Sequence, residues 1–396
     1  MTFIFVLRSD EKMIKRNYKN NIYLNRLYVV LTGFGITSLW VSYLLYKGMN
    51  LIEVGLLESV FHLTGFSFEI ISGVLADKYG YKKILIIGRF CSLISAILII
   101  VSNTFWGFAV AFVFSALSYN LNSGTNEALQ FESLKELDQN DKYLSYTAKA
   151  NFGFEISSAI GVFIAGILAK EFFEYTYYIA AIIAVVSIIC VFFMKEPTSK
   201  QTNEMKVVQY FSESYHDLRE TPRLLLIMLF FSSLDTIAAV FYHYFQDYLS
   251  VLGYSQLSMS VLIVIALGFQ MIIAFQIEKI TKRFDKRVMA VILVVMLSGS
   301  LLLAKNSSII SLAISFAILM MITTMSFILN NSYINEMIES TKRATMLSVS
   351  SMFYSIFMIV LFPVFGWLIM AVGYDLVFNL LIVFSCLLGV IVFKLI

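Results

Sequence analysis

Cysteine, histidine and charge are all scarce in this chain of 396 residues, and each shortage removes a class of function. The three cysteines, Cys91, Cys190 and Cys386, fall inside apolar runs with no short spacing that could clamp a metal, so they read as packing residues. The three histidines, His62, His216 and His243, are too scattered for a zinc motif. No Ser/His/Asp set, phosphate loop or dinucleotide fingerprint stands out, so neither an enzyme nor a cofactor is expected. Charged residues are 14% of the chain with a net charge of +3, and a nucleic-acid partner is not indicated.

What fills the chain instead is apolar: 59% of residues are hydrophobic and the mean hydropathy is +0.82, far from a soluble domain of this length. A bilayer crossing takes about 20 apolar residues. That ruler gives twelve spans and an all-α membrane protein: 23–46, 51–76, 84–101, 105–129, 144–169, 172–194, 224–249, 256–277, 288–304, 308–337, 344–372 and 374–396. Residues 1–22 form a basic segment with Arg8, Lys12, Lys15, Arg16 and Lys19 and no small-residue cleavage site, so the first span is expected to act as an uncleaved insertion signal. The polar interval 195–223, bracketed by Pro197 and Pro222, divides six spans (23–194) from six (224–396). Met205, Val207, Val208, Tyr210 and Phe211 recur there among charges, the pattern of a surface-lying amphipathic helix. Most lysines and arginines fall in the segments that are cytoplasmic if the N-terminus is, so both termini are expected inside a multi-pass protein of the plasma or inner membrane.

Between the second and third spans runs Gly73-Val-Leu-Ala-Asp77-Lys78-Tyr-Gly80-Tyr-Lys82-Lys83. Glycine, three residues, acid, base, one residue, glycine, one residue and two bases resembles the signature at this place in the major facilitator superfamily. The halves also look like repeats. Asn126-Glu127 matches Asn335-Glu336 at an offset of 209, and the hairpin matches Thr281 to Arg287 at 204, where the aspartate has become Thr281 and the glycine Phe284. The resemblance implies two six-helix bundles around a central cavity, alternating access to the two sides, and gating by Gly73, Asp77, Lys78, Gly80, Lys82 and Lys83.

Charges inside hydrocarbon cost at least about 3 kcal/mol, so an intramembrane carboxylate is a functional candidate. At 1.5 Å per residue, Glu69, Glu155 and Asp235 each lie roughly 12–16 Å inside the boundary, close to the midplane. Helical spacing gives each a polar stripe: Glu58, His62, Glu69 and Gly73; Asn151, Glu155 and Ser158; Ser232, Asp235, His243 and Gln246. These acids, with His62 and His243, are the candidates for proton coupling or substrate contact. A gate at the cytoplasmic end is expected from Asp77 with the start of the eleventh span, and from Glu127 or Glu132 with Arg89 or Lys149.

The leading functional reading is proton-coupled efflux of amphiphilic compounds by a monomer in the lipid bilayer, without metal. Uptake of a polar solute by proton symport is the alternative, with Asn120, Asn122, Asn126, Asn330, Asn331 and Asn335 as contacts. A non-transporting receptor or scaffold is a third. Two departures from family patterns weigh against antiport: the fifth span carries Gly153, Gly161 and Gly166 but no proline, and the fourth lacks an arginine.

Overall fold

The computed structural model describes residues 18–198, 219, 221–339 and 342–395, and among them it is helical, with no strand. The first helix, α1, covers 18–32. There follow α2 (Trp40–Tyr46), α3 (Leu51–Tyr79), α4 (Tyr81–Val101), α5 (Phe105–Asn122), α6 (Thr125–Lys135), α7 (Tyr143–Leu168) and α8 (Tyr175–Phe192). After the linker come α9 (Pro222–Val251), α10 (Gln256–Arg283), α11 (Lys286–Ala304), α12 (Ile309–Met337) and α13 (Arg343–Leu395). Among the described residues nine helices are long and apolar enough to cross a membrane. The longest of them, Thr345–Val390, is folded at Gly373 (φ +77°), between the two final spans expected from the sequence.

Helix starts follow local chemistry. Thr104 accepts from the Gly107 amide and Ser255 from the Ser258 amide, while Pro222 opens α9 where a missing N–H costs nothing. The outward faces keep large apolar side chains in the open, among them Trp106, Phe275, Val295 and Phe327. Such a surface fits hydrocarbon and is costly in water.

Two expected spans differ from the continuous helices read from hydropathy. The span 23–46 is broken between α1 and α2, and the span 105–129 is broken at Ser123-Gly124 between α5 and α6. At the first break Gly33, Gly35 and Gly161 bring the backbone of α1 against α7, and Ser157 donates to the Val30 carbonyl at 2.7 Å. At the second, Tyr28 donates to Asn122 at 2.5 Å and Asn25 to Asn126 at 2.6 Å, so α1 bridges the end of α5 and the start of α6. The first break is covered by protein, with Gly33, Ile36 and Leu39 buried, whereas Ser123 and Gly124 at the second are exposed. The amphipathic helix expected around 205–211 and the basic residues Arg8 to Arg16 lie outside the described residues.

The described residues form two compact units. One holds 18–38, 67–168 and 172–198, with α4 packed on α5 and α8. The other holds 39–66, 169–171, 219, 221–339 and 342–395, where α9 packs on α12 and α13, α10 on α12, and α11 on both α12 and α13. Residues 39–66 thus pack with the carboxy-terminal helices.

Candidate functional site

The hairpin between α3 and α4 is built around Gly80, whose φ of +97° and ψ of 145° belong to a region that is essentially glycine-only. A second constraint is the Glu196 carboxylate, which a Cβ at Gly80 would meet at 2.8 Å. That carboxylate accepts from the amides of Tyr81 (2.7 Å) and Lys82 (2.8 Å), capping the positive end of α4. Lys82 does the converse at the negative end of α8, donating to the Phe192 carbonyl at 2.6 Å. Around this cap, Asn21 exchanges hydrogen bonds with the backbone of Lys195 and donates to Ser133, and Thr198 bonds Glu136. Of the other hairpin residues, Lys78 lies over the Tyr79 ring, Lys83 is exposed, and Gly73 faces open space where a side chain would stand.

Asp77, half-buried, lines a cavity of about 360 Å³ with Tyr81, Glu127, Phe131, Glu132 and Tyr143. Burial pushes its carboxyl above the usual carboxylate range. The pairings expected of Glu127 or Glu132 with Arg89 or Lys149 are not formed here. Arg89 donates to Ser118 at 2.9 Å and stands over the Tyr28 ring, Glu132 lies 3.5 Å from Lys135, and Lys149 is exposed. Glu127 adds its charge to the surroundings of Tyr28 and Tyr119.

The three acids expected near the midplane divide between the units: Glu69 and Glu155 belong to the first, Asp235 to the second. Glu69 is half-buried near Tyr119. Glu155 and Asp235 are half-buried as well, and among the described residues neither forms an ion pair.

The second unit brings His62 and His243 together. Glu58 and His62, one turn apart on α3, approach to 3.4 Å, and both lie within electrostatic range of His243 on α9. Trp40, Tyr242 and Phe362 put their ring centroids 5.2, 4.9 and 5.8 Å from that of His243, and Tyr354 stands edge-on to His62. The amino-terminal half of α3 is pressed onto α13: a side chain at Gly55 would strike Pro363, and one at Gly366 would strike the Leu51 carbonyl. Tyr244 donates across this contact to the Leu51 and Phe362 carbonyls, and Ser59 to that of Ile359. Asn122, Asn126 and Asn330 are occupied by bonds between helices, the last donating to Ser350 at 2.6 Å.

Sequence reasoning did not foresee Glu196 or Trp40, and it placed Tyr244 only in an aromatic cluster around His243. The Glu58–His62 pair was legible in its spacing; the cap was not, because no local rule joins residues 115 apart.

A family model described as Major Facilitator Superfamily matches residues 27–286 and 269–396. The chain belongs to that superfamily. Among curated proteins this facilitator is 27% identical over 267 residues to an uncharacterized MFS-type transporter, YxaM, of Bacillus subtilis (strain 168), covering 65% of the chain and 64% of the relative. It is 26% identical over 192 residues to an uncharacterized transporter of Buchnera aphidicola subsp. Schizaphis graminum (strain Sg), covering 45% and 47%. The chain thus spans about half to two thirds of the length of these relatives. Solved structures of the nucleoside transporter NupG (TM-score 0.79, 13% identity) and of a D-xylose-proton symporter (0.74, 11%) each match 96% of the chain and 98% of their own. Identities this low speak for the fold alone. The facilitator is a multi-pass membrane protein of a family of transporters, not of enzymes.

Proposed function

We propose that this facilitator carries a polar small molecule across the plasma membrane by proton symport, working as a monomer through alternating access. The observation that supports it most is Asp235: a carboxylate without an ion-pair partner among the described residues, inside the apolar span of α9. An uncompensated charge there costs about 3 kcal/mol, a cost relieved when the group takes a proton. A midplane acid that meets water from either side in turn picks up and releases that proton, which is what coupling requires. Glu69 and Glu155 are the next candidates. The symport direction is preferred because α7 has no proline and because one solved protein of the same fold is a D-xylose-proton symporter. In this reading both termini are cytoplasmic, residues 195–223 join two six-span halves, and the Gly73 to Lys83 hairpin with Arg89, Glu127, Glu132 and Lys149 works at the cytoplasmic gate.

Export of an amphiphilic compound is the second reading, and the aromatic surroundings of His243 favour it, since rings suit flat or cationic cargo. Both readings are tested by substrate-driven proton movement in proteoliposomes across a compound panel, with a gradient imposed in each direction. Symport predicts solute and proton moving together, with the flux lost in Asp235→Asn; opposite movement selects export. No proton flux with any transported compound overturns the coupling, and unchanged flux in Asp235→Asn moves the site to Glu69 or Glu155.

A further inference from the structure

The half-buried histidine on α9 has no assigned task. His243 Nδ1 is shut off from solvent and makes no hydrogen bond. An orphaned polar atom in such a place calls for an occupant, and the chemistry around it points to the smallest one. Trp40, Tyr242 and Phe362 form an aromatic enclosure whose ring faces favour a cation. The nearby anion is Glu58, which stands 3.4 Å from His62. The remaining titratable neighbours are neutral tyrosines or already committed: α13 brings Tyr354 against His62, α9 itself brings Tyr242 and Tyr244, and Asp247 one turn on accepts from Tyr374 at 2.8 Å. From α2 comes Trp40, with Lys47 beyond its end lying over Tyr43.

We propose that His243 is a proton-binding site, with Glu58 and His62 setting its affinity, and that its protonation loosens the contact of α3 with α9 and α13. This rests on the proton-coupled reading but places a proton site on different residues from Asp235. With His243 neutral, Glu58 serves His62 alone and the contact closes around uncharged rings. When Nδ1 takes a proton, two imidazoles compete for Glu58, since the next carboxylate, Asp247, is engaged by Tyr374. The neighbouring contacts, Gly55 on Pro363 and Tyr244 between two carbonyls, have no slack to absorb a shift of that pair. Opening therefore follows from where the proton sits.

Trp40 reports the site directly, because a protonated imidazole in ring contact quenches indole emission. The chain has three tryptophans, so Trp106→Phe with Trp367→Phe leaves Trp40 as the single emitter in the purified, full-length protein without substrate. A fluorescence transition is expected as the parent protein is acidified. It is expected to vanish in His243→Asn and to move by about one pH unit toward acid in Glu58→Gln, which removes the favourable charge. Labelling of Ser59→Cys, measured against an exposed cysteine in a background lacking the native three, is expected to rise severalfold across the same transition. A flat signal in the parent, or the same transition persisting in a folded His243→Asn, overturns the site. A transition without any change in Ser59→Cys labelling overturns its link to opening. If His243→Asn does not fold, an unmoved midpoint in Glu58→Gln overturns the proposal by itself. None of these readings uses substrate or proton flux, so a failure of the transport reading leaves a different signature.

Discussion

The two related hairpins solve the same problem in different ways. At Asp77 to Lys83 the helix start is capped from a distance: Gly80 takes a conformation closed to other residues, and the space where its side chain would stand is filled by Glu196. At Thr281 to Arg287 the matching residue is Phe284 with φ −116°, and the acid is local, Asp285, at the N-cap of α11 but without a side-chain capping bond. The second hairpin is therefore more than a worn copy of the first. Its backbone runs differently, so losing the glycine follows from geometry, while the first hairpin is tied to the segment that follows α8.

Substitutions ranked by thermal unfolding in one detergent separate these two designs. The largest loss is expected for Gly80→Ala, which meets both the strained backbone and the Glu196 carboxylate and should cost about 2 kcal/mol or more. Phe284→Ala, its counterpart, should cost less than about 1 kcal/mol, since its φ suits any side chain and it is exposed. Equal losses at the two positions would break the comparison. Glu196→Ala leaves two amides of α4 without their acceptor and should cost about 1–2 kcal/mol, whereas Asp285→Ala should stay within about 0.5 kcal/mol.

Asp77 gives a smaller effect whose sign depends on pH. Burial raises its carboxyl above the ordinary value, so the folded chain holds the proton more tightly than the unfolded one. Its contribution is full below the unfolded value of about 4 and is lost as pH rises through the folded value. Asp77→Asn is accordingly expected to raise Tm slightly at neutral pH and to lose that advantage in acid. A gain that grows on acidification would reverse the assignment.

The architecture was legible because hydrocarbon imposes long apolar runs, and the positions of α3, α4 and α7 to α12 follow from them. The breaks after Thr32 and at Ser123-Gly124 were not, since glycine and serine in an apolar run read equally well as close helix packing. Depth along a helix is arithmetic, which is why Glu69, Glu155 and Asp235 could be named. Spacing by four revealed that Glu58 and His62 share a face, but the meeting with His243 depends on how α3 and α9 pack, which no periodicity encodes. Of the asparagines expected to greet a polar solute, Asn122, Asn126 and Asn330 each also join two helices, a role that spacing did not reveal.

The cap on α4 also decides where this polypeptide tolerates being cut. Glu196 is held with Lys195 and Thr198 against the amino-terminal helices, so these residues belong to that half although they follow its last span. A gene split after Thr198 would yield a fragment carrying its own helix stopper. One split before Lys195 would produce a fragment of nearly equal length whose Gly80 loop has nothing to close on.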